Sequence, residues 1–103
     1  MTDQELLTLA AKAAGYVTLT NGQTYSPEAG NFDWNPLIDD GDALRLAVQL
    51  EIKFSCRADE GVGVWAKASC WRAAVEECAK ADKYTAARRA IVRAAAEIGR
   101  HMK

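Results

Sequence analysis

One histidine, two prolines and three cysteines in 103 residues leave little material for several kinds of chemistry. Cys56, Cys70 and Cys78 are odd in number and form no C-x-x-C pair, so neither a disulfide framework nor a zinc ribbon is indicated and reduced thiols are expected. The sole histidine, His101, is too few for a structural zinc site and poorly placed to activate a cysteine thiolate. No catalytic triad, P-loop, Rossmann glycine pattern or metal signature is present, which speaks against an enzyme; no catalytic residue, metal or cofactor is expected. No apolar run approaches the ~18 residues of a spanning helix. The opening Met1-Thr2-Asp3-Gln4-Glu5 is acidic where a secretory signal would be basic. A cytoplasmic protein without a membrane partner is the expectation.

What is there fits one globular unit, 1–103, since half the residues are apolar and about a quarter charged. The net charge of -1 conceals a division. Residues 1–51 hold eight acids against two bases, and the remainder eleven bases against six acids, six of those bases lying between Lys83 and Lys103. Such asymmetry suits either an acidic or polyanionic partner at one end, or two halves that attract each other.

The elements announce themselves unevenly. Thr2-Asp3-Gln4-Glu5 is a capping box, Leu6, Leu7, Ala10, Ala13 and Ala14 form an apolar stripe, and Gly15 is placed to end a helix over 3–14. Residues 16–25 read as two short strands joined at Asn21-Gly22 by a two-residue type I′ turn. A loop over 26–38 contains the apolar knot Trp34-Asn35-Pro36-Leu37-Ile38, with Trp34 as its core plug. Asp39 or Asp40 caps a second helix, with Ala43, Leu46, Ala47 and Leu50 inward. Residues 51–57 and 62–68 alternate as an antiparallel hairpin turning at 58–61, with Ile52, Phe54, Cys56, Val62, Val64 and Ala66 inward and Trp65 on the opposite face. Residues 70–79 satisfy both helix propensity and strand alternation. Tyr84, Ala87, Ile91, Ala94, Ala95 and Ile98 mark a long last helix, with the Tyr84 ring expected in the core. The fold class is α+β: an antiparallel sheet of three to five strands with three helices, in the order α-β-β-α-β-β-(β)-α.

Two blocks, Trp34-Asn35-Pro36-Leu37 running into 39–47, and Tyr84 to Gly99, resemble small tailed-phage and prophage proteins of the ABA-sandwich, NinX-like type. The resemblance implies a sheet flanked by helices and a strand over 70–77. The family pattern has a proline before the tyrosine of the last helix, where this chain carries Lys83, which puts the start of that helix in question. A phage origin implies a counter-defence or host-takeover factor acting by binding.

Candidate binding residues follow from charge and aromaticity. Arg88, Arg89, Arg93 and Arg100 lie on one face of the last helix, Arg45 on the second helix, and Trp65 and Tyr84, the latter through the hydroxyl at its rim, are the aromatic candidates. Guanidinium forks match phosphates and carboxylates, and Arg with aromatics makes protein-binding hot spots. The leading reading is a non-enzymatic inhibitor of a host or defence protein. A sponge for a nucleotide second messenger, with Arg45, Arg88 or Arg89 on phosphate, is the alternative. Weak nucleic-acid binding comes third, because the sequence pI of 5.8 lacks the usual basic signature. Asp39, Asp40 and Asp42 read as helix capping ahead of a Mg²⁺ or Ca²⁺ site. A homodimer remains open.

Overall fold

A computed structural model describes residues 2–27, 30, 32–59, 63–69, 74–79 and 82–102; for 56–59, 63–65 and 76–79 the backbone alone is described. Among these residues three helices, α1 (Asp3–Ala14), α2 (Asp40–Gln49) and α3 (Lys83–Arg100), accompany three strands, β1 (Lys53–Asp59), β2 (Gly63–Ser69) and β3 (Ala74–Ala79). The strands form an antiparallel meander in the order β1-β2-β3. Helix α3 packs across all three strands and also touches α1 and α2, so it is the middle layer of the domain.

Local chemistry sets the helix limits. The Thr2 hydroxyl accepts from the Glu5 N–H at 3.1 Å, which supplies the N-terminal cap of α1. At its other end the Tyr16 N–H reaches the Ala11 carbonyl and the Gly15 N–H the Lys12 carbonyl, with Gly15 at φ +79°. That is a Schellman ending. Helix α2 ends by the same pattern, Ile52 to Ala47 and Glu51 to Val48, but here the left-handed position is filled by Glu51 at φ 55°. Helix α3 starts at Lys83 with Asp82 as its cap, so the chain needs no proline there.

The core is dense in alanine. Ala10, Ala11, Ala43, Ala47, Ala66, Ala68, Ala86, Ala90, Ala94, Ala95 and Ala96 are buried, among a few larger residues such as Leu46, Ile91 and Val92. Small side chains let helix backbones approach closely, so dispersion from backbone contacts supplements the modest area each alanine buries. Trp34 is 6% exposed and meets Tyr16 edge-on, with ring centroids 5.4 Å apart, as expected of a core plug. Gln49 ties α2 to the end of α1, donating to the Ala14 carbonyl at 2.6 Å and accepting from the Tyr16 hydroxyl at 3.0 Å.

Several expectations are corrected. The 16–25 segment contributes an isolated antiparallel bridge, Thr18 to Thr24, and no named strand. Its turn has three residues, closed by Leu19 N–H to Gln23 O and Gly22 N–H to Leu19 O, and only Gly22 has positive φ. That conformation joins a type I turn to a glycine bulge, in place of the type I′ turn. β1 begins two residues later than expected because the α2 ending occupies Glu51 and Ile52. β3 resolves the ambiguity over 74–79 in favour of strand, whereas residues 70–73, including Cys70 and Trp71, lie outside the described residues, as do Val62 and part of the expected 58–61 turn. Tyr84 is 68% exposed: it stands in the first turn of α3, ahead of the first fully buried residue, Ala86.

Candidate functional site

The start of α3 crosses beside α2 and β1, and an apolar groove of about 240 Å³ opens where the three meet. Ala43 and Leu44 come from α2, Phe54 from β1, and Tyr84, Ala87 and Ile91 from α3, with Asp40 and Arg88 as the polar members. Leu44, Phe54 and Tyr84 are 54%, 45% and 68% exposed, so three large apolar side chains face solvent around one depression. Clustered apolar surface is the informative kind, since single exposed hydrophobics are ordinary.

Arg88 anchors the groove. Its side chain is only 16% exposed. Nε donates to the Leu37 carbonyl at 2.9 Å, Nη1 donates to Asp40 Oδ1, and Nη2 donates to Thr85 Oγ1 at 3.1 Å. One guanidinium thereby fastens the apolar knot and the start of α2 to the start of α3. Each of its three nitrogens donates to protein and one faces the Asp40 carboxylate, so Arg88 shapes the groove and contributes little free charge to it.

The other arginines are distributed. Arg45 pairs with Asp42 at 2.7 Å and approaches Asp39 at 4.0 Å. Arg89 pairs with Asp3 at 2.9 Å, and Arg100 with Glu97 at 3.4 Å. Arg93 is half-buried and likewise engaged. Arg45, Arg89, Arg93 and Arg100 are not lining residues of the groove, whereas Tyr84 and Arg88 are. Two of these pairs, Asp3 with Arg89 and Asp40 with Arg88, join the acidic half of the chain to the basic half. The charge division seen in the sequence is thus partly satisfied within the molecule. Trp65 lies on β2 opposite Arg57 of β1 and Cys78 of β3; expectations about its ring fall outside the described side chains.

The acids beside α2 are structural in the same sense. Asp39 Oδ2 accepts from the Asp42 N–H at 2.8 Å, capping the helix. Asp42, 5% exposed, accepts from the Asn35 N–H at 2.9 Å and from Arg45. Among the described residues no group of His, Cys, Asp and Glu is disposed to hold a metal ion.

Leu44 and Phe54 were not among the residues expected to form a site. A signal for Leu44 existed: α2 and its C-cap carry Ala43, Leu44, Leu46, Ala47, Val48 and Leu50, more apolar residues than one stripe can bury. Leu44 and Val48, four apart, form a second ridge, 54% and 69% exposed. Phe54 has no such signal, because its strand face is the inward one and only the reach of α3 leaves it open. Among the described residues, no helix is long and apolar enough to cross a membrane. No family model, curated protein or solved structure matches this chain.

Proposed function

We propose that this chain is a non-enzymatic binding domain that seats an apolar segment of a partner protein in the groove of Leu44, Phe54 and Tyr84. In keeping with its resemblance to small phage proteins, the partner is a host or anti-phage defence protein in the host cytoplasm. The domain modulates that protein by occluding its surface. The supporting observation is the convergence of three exposed apolar side chains on a rim held by Arg88. Aromatic anchors in partly preformed depressions typically carry most of the energy of a protein interface. A preformed rim reduces the ordering cost on association. The arginines lend less support to a phosphate-binding sponge, since Arg45, Arg88 and Arg89 each face their own carboxylate.

The test is native mass spectrometry of the tagged protein from infected host cells, alongside Leu44→Glu and Arg100→Glu variants. A host protein retained by wild type and Arg100→Glu but lost by Leu44→Glu supports the groove. A small bound mass, or a partner indifferent to Leu44→Glu, refutes it.

A further inference from the structure

A strand at the margin of a sheet presents unpaired N–H and C=O groups and is a template for another strand. Among the described residues the sheet has two such margins, β1 and β3. Their sequences differ in what each would meet in a second copy. On β3, Ala74-Val75-Glu76-Glu77-Cys78-Ala79, antiparallel self-pairing about the strand centre sets Glu76 opposite Glu77. Moving the centre half a step sets Glu76 against Glu76, or Glu77 against Glu77. Like charges directly opposite are destabilising, so β3 is protected against its own kind.

β1 is the reverse case. Antiparallel pairing centred on Cys56 sets Lys53 opposite the partner's Asp59, Phe54 opposite Ala58, Ser55 opposite Arg57, and Cys56 opposite Cys56. The match holds on both faces of the strand. Phe54, Cys56 and Ala58 share register with Ala68, Ala66 and Val64 of β2, the row in which Ala66 and Ala68 are buried. Apolar positions therefore meet apolar positions on the core side. On the other side unlike charges meet at both ends, because a two-fold junction repeats each contact. Lys53, Phe54 and Ser55 are all exposed, which leaves the start of the strand accessible.

We propose that β1 is a self-pairing edge, through which two copies of this chain join antiparallel over Lys53–Asp59 into a six-stranded sheet of order β3-β2-β1-β1-β2-β3. Closure consumes the one compatible margin, and the glutamates of β3 guard the two that remain. Sedimentation velocity of the full chain, up to about 0.1 mM where micromolar self-association is populated, tests it. Wild type sediments as a dimer. Lys53→Asp places like charges opposite each other twice and weakens the dimer about tenfold or more, and Asp59→Lys does the same. The exchanged double variant, Lys53→Asp with Asp59→Lys, restores the dimer, which separates a broken junction from a damaged fold. A wild-type monomer at every concentration overturns the proposal. So does a dimer indifferent to both single variants, or growth beyond a dimer.

Discussion

Gly99 of α3 lies directly against the backbone of Leu9 in α1: a Cβ built on it would collide with the Leu9 carbonyl oxygen and stand 2.8 Å from the carbonyl carbon. Backbone cannot swing aside as a side-chain tip can. Gly99→Ala should gain about 1 kcal/mol of intrinsic helix propensity. It is nevertheless expected to destabilise by about 1–3 kcal/mol, because the two helices must separate. Urea unfolding followed by circular dichroism reads the sign directly.

Glu51 and Gly15 occupy equivalent left-handed positions, yet only one of them is glycine. A non-glycine residue there carries strain of about 1 kcal/mol or more. Glu51→Gly should therefore raise stability by about 0.5–1 kcal/mol, whereas Gly15→Ala should lower it by about the same amount. Paired denaturation midpoints provide the check, and a loss on Glu51→Gly would contradict the strain argument.

Arg88 and Arg89 are neighbours with unequal duties. Replacing Arg88 by Ala removes bonds to Leu37, Asp40 and Thr85 from a mostly buried fork, so a loss of about 1.5–3 kcal/mol is expected. Arg88→Lys should recover little, since an ammonium cannot reproduce the planar fork. Arg89 shares an exposed pair with Asp3, so Arg89→Ala should cost no more than about 1 kcal/mol, and less in high salt. The ratio of the two losses in one unfolding series is the measurement.

Asp82 accepts from the Thr85 N–H at 2.7 Å and from its hydroxyl at 3.0 Å, and these bonds hold its pKa below the ordinary aspartate value. A depressed carboxylate pKa stabilises the fold above the unfolded-state value, and that contribution fades as pH falls through the lower folded-state value. Wild type is thus expected to lose part of its stability below the ordinary aspartate range. Asp82→Asn still caps the helix but does not titrate, so its advantage relative to wild type should grow on acidification. Unfolding midpoints across the acid range test this, and parallel curves for the two proteins would count against it.

Legibility in the sequence followed the range of the interactions involved. Both limits of α1 and the start of α2 are readable to within a residue because Thr2, Gly15 and Asp39 act on their own helices. β1 and β2 were readable from alternation, although the ending built on Glu51 shifted the start of β1. Residues 74–79 were undecided because propensity and alternation conflict there, and the pairing of Val75 with Ala68 settles the matter. The site was harder. Asp40 meets Arg88 across 48 residues and Asp3 meets Arg89 across 86, and no local pattern says which acid finds which base. Tyr84 continued the apolar stripe of α3, but the neighbouring elements do not reach far enough to cover it.

Every other layer of this domain rests on α3, the last of its elements in chain order. During synthesis α1, α2 and the strands therefore leave the ribosome before the surface they share exists. Their apolar faces stay without a native partner until Lys83–Arg100 follows, and folding waits for that helix. A chain broken off before Lys83 would be a set of orphaned amphipathic pieces, fit for chaperones and proteases and not for a partner.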